Sequence, residues 1–173
     1  MYLPPKDKKN DYNIKGLKGL PECYPVPDVK DMLFYIQRNQ NTNTVIYQIL
    51  KDNNGSFISN NPINVFWKQF NNNGKDQPLN YIQRKLAYGY EFDIINKDAL
   101  QINIISYPDY KVFVTKNDDH IYKAVGKINN IWAELSNVYV FVDEQGAFPV
   151  VRYLELYGMH IDNGLPCYEK IDI

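Results

Sequence analysis

A chain of 173 residues with 45% hydrophobic and 23% charged side chains is long enough to bury roughly 70% of its unfolded surface in one domain, without help from metal or disulfide. This composition excludes intrinsic disorder, which requires few apolar residues and a large net charge. The formal charge of -1, from 19 Lys and Arg against 20 Asp and Glu, supplies no field that would draw the chain to nucleic acid or to an anionic membrane, so no nucleic-acid partner is expected.

Residues 1 to 30 read as an extended leader, because Pro4, Pro5, Pro21, Pro25 and Pro27 remove amide donors and apolar periodicity is lacking. The lysines of this stretch, Lys6, Lys8, Lys9, Lys15 and Lys18, read as a solvated tail. The start lacks the apolar stretch of about 7 to 15 residues that a secretory signal needs, which points to a cytoplasmic location as written; a precursor carrying a signal would be periplasmic or exported. There is no run of about 18 apolar residues, so no membrane span is expected.

From Asp31 onward, short runs rich in Val, Ile, Tyr and Phe predict strands at 32–38, 44–50, 63–70, 90–95, 100–106, 110–115, 120–128, 131–142 (with a break near Ser136) and 148–157. Turn residues separate them: Asn53 to Gly55, Asn60 to Pro62, Asn72 to Gly74, Pro108 and Asp109, Asn117 to Asp119, Gln145 and Gly146. The polar stretch from Arg38 to Thr44 predicts a hairpin turn in which Asn39, Asn41 and Asn43 tolerate left-handed backbone and bond their own main chain. One helix is predicted in "DQPLNYIQRKLAYG", capped by Asp76 or Gln77, with Pro78 in its first turn, an apolar face of Leu79, Ile82 and Leu86, and Gly89 as its stop. The expected class is therefore all-β and mainly antiparallel: a barrel or two-sheet sandwich spanning 31–173 with one short α-helix.

Chemistry-bearing residues are sparse. The two histidines, His120 and His160, together with Asp162 form a weak candidate metal set, and no cofactor is expected. Cys23 and Cys167 lie in Pro-flanked segments read as exposed loops, where they would form one bridge in an oxidising compartment and remain thiols in the cytosol. In "VVRYLELY", Tyr153 and Glu155 share one strand face while Arg152 points the other way. Burial of that face predicts an ion pair for Glu155, with Arg38 or Arg84. Glu134 with Glu155 is the alternative reading as a glycosidase carboxylate pair. Trp67, Trp132, Tyr35, Tyr47, Tyr88 and Tyr153 are either core or the aromatic wall of a pocket. The candidate ligand residues are Arg38, Asn41, Trp67, Arg84, Tyr88, Trp132, Arg152, Tyr153 and Glu155.

The segments "YPVPDVKDMLFYIQRNQNTNTVIY", "NPINVFWKQF", "LAYGYEF", "LSNVYVFV" and "FPVVRYLELYG", in that order from about Tyr24 to Glu169, resemble a bacterial family known as domain of unknown function forty-eight thirty-three. The resemblance implies no reaction, cofactor or catalytic residue, and it implies that members are often exported. The sequence thus leads to three readings. The first is a non-catalytic binding or interaction module that meets a protein through its leader or an edge strand. The second is a carrier barrel for a small apolar or glycan ligand, and the third is an enzyme that uses a metal or acts on glycosides.

Overall fold

The computed structural model describes residues 24–173. Eleven strands form one sheet: β1 (Met32–Arg38), β2 (Asn41–Ile49), β3 (Ile63–Gln69), β4 (Lys75–Pro78), β5 (Tyr90–Asn96), β6 (Ala99–Ile104), β7 (Tyr107–Lys116), β8 (Tyr122–Ile128), β9 (Ile131–Asp143), β10 (Val150–His160) and β11 (Pro166–Asp172). The α-helix is α1 (Tyr81–Leu86). The all-β expectation holds, and the sheet is mostly antiparallel; it is a single sheet curled into a half-barrel.

The curl originates in β9. Its thirteen residues carry β10 along one edge from Ala133 to Asp143. The opposite edge is shared: β8 pairs antiparallel with Ile131–Glu134, and β1 pairs parallel with Asn137–Val140. Two arms therefore hang from one strand, β1 to β4 on one side and β8 to β5 on the other. Strand β9 runs unbroken through Ser136.

The inner faces of the arms enclose the core, with Phe34, Ile36, Val45 and Tyr47 facing Leu100, Ile102, Val112 and Val114. Phe34 and Tyr47 stack at 4.4 Å. Where a closed barrel would have a ladder of backbone bonds, tyrosine hydroxyls bridge the arms. Tyr90 Oη donates to Ile63 O at 2.9 Å and accepts from Ile63 N at 3.0 Å. Tyr47 Oη donates to Tyr88 O at 2.8 Å, and Tyr122 Oη accepts from Phe57 N at 3.1 Å. These groups sit where water is scarce, so each main-chain atom must find a partner or lose about 1–3 kcal/mol.

The outer face of β1, β2 and β3 buries Met32, Tyr35, Ile46 and Phe66 against Val29. Of the predicted leader, residues 24–30 lie on this side: Gln37 Nε2 donates to Pro25 O and Gln48 Nε2 to Lys30 O. Residues 1–23 lie outside the described part.

Three expectations are corrected. The helix starts later than predicted: Asn80 is its cap, in a reciprocal capping box with Gln83, while Pro78 ends the edge strand β4. Of the predicted apolar face only Leu79 is buried, and Ile82 and Leu86 stand exposed. The stretch from Arg38 to Thr44 is a hairpin turn as expected, closing between Arg38 and Asn41. Its asparagines are absent from the residues with positive φ and act through their side chains. Asn39 Nδ2 donates to Val142 O and its Oδ1 accepts from Val142 N, an amide that extends the parallel β1–β9 pairing. Cys167 is in β11, buried with a free thiol, not in an exposed loop; Cys23 lies outside the described residues.

Candidate ligand-binding site

The open end of the half-barrel is a trough of about 420 Å³, within the range of about 300–1,000 Å³ usual for small-molecule sites. Strand periodicity builds its floor. Val138, Val140 and Val142 recur on one face of β9, and the register sets Leu156 opposite Val138, Leu154 opposite Val140 and Val151 opposite Val142. Ile36 of β1 forms one wall, and Ile104, Tyr107 and Tyr110 of the other arm form the second. Leu86, Ala87, Tyr88, Ser106 and Ile173 surround the opening. Leu86 is 71% exposed and Ile173 63%, so apolar surface continues from the core to the rim.

Tyr110 is held in its wall by a glycine. Its hydroxyl donates to Lys127 O at 3.0 Å, and a Cβ at Gly126 would stand 2.5 Å from that oxygen. Burial raises the Tyr110 pKa well above the ordinary tyrosine value and keeps the hydroxyl neutral.

Arg38 adjoins the trough without lining it, next to Val140 and at the edge of a second, polar cavity. It follows Ile36 on the same face of β1, and its backbone pairs with Val140. Its guanidinium lies 4.6 Å from the Trp67 ring centroid, an attraction of about 0.5–2 kcal/mol. Nη1 donates to Gln40 Oε1 at 3.0 Å and Nη2 to Asn41 Oδ1 at 3.2 Å. The Tyr88 hydroxyl lies beside this guanidinium; burial raises its pKa and Arg38 draws it back. Tyr88 meets Trp67 edge to face at 5.3 Å. Arg38 has no carboxylate partner among the described residues, and its buried Nε has no acceptor. Beyond it lies a polar cavity of about 220 Å³ lined by Arg38, Asn43, Trp67, Gln69, Gln77 and Gln83. Trp67 Nε1 donates to Gln83 Oε1 at 3.1 Å, which ties α1 to this wall.

Four of the residues singled out from sequence, Arg38, Asn41, Trp67 and Tyr88, therefore come together. Others do not join them. Arg84 donates to Leu79 O at 3.2 Å and faces a separate, more polar cleft with Asn60, Asn64 and Tyr90. Trp132 packs on Phe113 at 5.6 Å under Lys127 and is 46% exposed. Arg152 pairs with Asp143 at 2.9 Å on the surface. That guanidinium and the Gln145 backbone N–H lower the Asp143 pKa, the backbone bond contributing more. Tyr153 stacks on Phe141 at 4.9 Å, with Lys170 4.2 Å from its ring centroid.

The ion pair expected for Glu155 is corrected. Its carboxylate, 2% exposed, accepts from Tyr157 Oη at 2.7 Å and Tyr168 Oη at 3.2 Å, and neither Arg38 nor Arg84 is a partner. Glu134 is neutralised by Lys123 at 2.9 Å. His120 is exposed in a turn at φ 61°, and His160 ends β10 with a buried Nδ1 that has no partner. Among the described residues no three His, Cys, Asp or Glu side chains are placed to hold a metal. Burial pushes the Cys167 thiol up to about 11, which makes it a poor nucleophile at neutral pH.

The floor valines and leucines, with Tyr107 and Tyr110, were not singled out from sequence. Alternating apolar strand residues have the same signature whether they face core or cavity.

No helix among the described residues is long and apolar enough to cross a membrane. No curated protein and no solved structure matches the chain. The match of a family model over residues 34–170, from β1 to near the end of β11, shows that the chain belongs to the family described as Domain of unknown function (DUF4833).

Proposed function

We propose that this protein is a binding domain that takes a small, largely apolar molecule into the open end of its half-barrel. The observation that carries the reading is the trough itself: a concave apolar surface of about 420 Å³, continuous with the core and rimmed by exposed Leu86 and Ile173. A ligand there removes apolar surface from water on both partners, at about 25 cal/mol per Å² before the entropic losses of binding. A protein partner is the second reading, supported by β5, which among the described residues pairs only with β6 and exposes Ile94 and Ile95 along a sheet edge.

Native mass spectrometry of gently purified protein, followed by titration with an apolar fluorescent probe, tests the first reading. One molecule per chain is expected. Val140→Phe, which fills the floor, is expected to weaken uptake by about tenfold or more, equivalent to about 1.4 kcal/mol, with an unchanged melting temperature. Uptake indifferent to Val140→Phe and to the rim variant Leu86→Asp would contradict it.

A further inference from the structure

We infer that the ligand of the trough is an amphiphilic anion, an aliphatic carboxylic acid by class, whose chain lies on the valine floor and whose carboxylate is received by Arg38. The inference rests on the proposed function and names the substrate class of that site.

Three observations converge on it. The first is charge. Arg38 is a half-buried guanidinium, and none of the described residues supplies it with a carboxylate. No acidic residue lines the trough or the adjoining polar cavity; Glu144 is linked to the guanidinium only through the Gln40 amide.

The second is hydrogen-bonding capacity. Arginine offers five N–H donors in a planar fork. Gln40 and Asn41 take donors from it, and both are neutral. They fix the plane of the fork without satisfying its charge, while the buried Nε–H has no acceptor. Burying such a donor unpaired is unfavourable unless something else satisfies it. A carboxylate is the acceptor that fits a guanidinium best, since it can take two parallel N–H bonds.

The third is position. Ile36 and Arg38 alternate onto the same face of β1, and Val140 pairs with Arg38 while lining the floor. Tyr88 lines the trough and lies beside the guanidinium. The apolar floor along β9 and β10 therefore adjoins the cation at its β1 end, across Val140 and Tyr88. A wholly apolar molecule would leave Arg38 as it is. A glycan would leave the floor exposed.

Dodecanoic acid and dodecanol, equal in chain length and different in the head group, separate the parts of the claim. Calorimetric titration of the full chain at neutral pH is expected to show the acid binding about tenfold or more tightly than the alcohol. Arg38→Gln is expected to remove that difference by weakening the acid while leaving the alcohol where it was. Rising salt is expected to weaken only the acid. Equal binding of acid and alcohol to the wild-type chain would overturn the anion claim and leave the apolar site standing. Failure of both to bind would overturn the trough reading and this inference with it. Should Arg38→Gln fail to fold, Asn41→Ala removes one orienting acceptor of the same fork, and an unchanged preference for the acid in that variant would overturn the claim.

Discussion

The hydroxyl of Tyr90 satisfies both main-chain groups of Ile63, accepting from its N–H at 3.0 Å and donating to its carbonyl at 2.9 Å. One phenol thereby spans the seam between β5 and β3, where a closed barrel would have a strand ladder. Tyr90→Phe keeps the ring and removes both bonds. The variant is expected to lose about 1–3 kcal/mol in urea denaturation. Tyr81→Phe, on an exposed ring, is expected to stay within about 0.5 kcal/mol. Equal midpoints for the two variants would mean that the seam is not held this way.

The two tryptophans sit in opposite surroundings, Trp67 7% exposed under Arg38 and Trp132 46% exposed. In Trp132→Phe the remaining fluorescence is expected to be blue-shifted and poorly quenched by acrylamide. Adding Arg38→Ala is expected to shift it to the red and to raise quenching, because the guanidinium no longer covers the ring. An unquenched signal in the double variant would remove Arg38 from its place over the indole.

The fold buries several tyrosines, and burial raises the pKa of Tyr35, Tyr47, Tyr139, Tyr157 and Tyr168; Glu155 raises the last three further. Each folded value lies above the unfolded value of about 10. The stability these groups contribute is complete below pH of about 10 and is lost as pH climbs from there toward the folded values, at about 1.4 kcal/mol per pH unit for each group. The part of the tyrosinate absorbance that belongs to these buried rings is therefore expected to rise in one cooperative step together with loss of far-ultraviolet circular dichroism. Ionisation of all the tyrosines with the fold intact would contradict this.

Gly158 and Gly126 are small for different reasons. A Cβ at Gly158 would stand 2.3 Å from the backbone oxygen of Glu134, where β9 and β10 slip register. At Gly126 it would meet the Tyr110 hydroxyl. Gly158→Ala is expected to destabilise by about 1–3 kcal/mol, since a backbone atom must give way. Gly126→Ala is expected to fold more readily but to move the Tyr110 ring and change ligand affinity. Thermal melting and probe titration of both variants check the contrast.

Nine of the eleven strands were legible because alternation and asparagine-rich turns marked them. The two missed strands show what that signal needs. Strand β4 is "KDQP", four exposed residues joined to β3 by main-chain bonds, and main-chain bonds leave no trace in side-chain pattern. Strand β11, "PCYEKID", lies at the sheet margin, paired among the described residues with β10 alone, where charge is tolerated on both faces. The helix misled for the opposite reason. Leu79, Ile82 and Leu86 have the spacing of a buried face, yet two of them are exposed, with Leu86 on the trough rim, and the Asn80–Gln83 capping box overrode the start signal of Pro78. Arg38, Trp67 and Tyr88 could be chosen by type; Arg38 and Trp67 meet through the register of β2 between β1 and β3, but Tyr88 comes from the other arm, which is joined to β1 by the parallel β1–β9 pairing of residues about a hundred positions apart. No local pattern encodes it.

Methyl-resolved NMR during titration with dodecanol tests the central claim most directly. The expected result is a set of saturable shifts confined to Ile36, Val138, Val140, Val142, Val151 and Leu154, with the enclosed Leu100 and Ile102 unmoved. Shifts centred on the exposed Ile94 and Ile95 of β5, or no saturable shift at the floor valines, would contradict a ligand site in the mouth of the half-barrel.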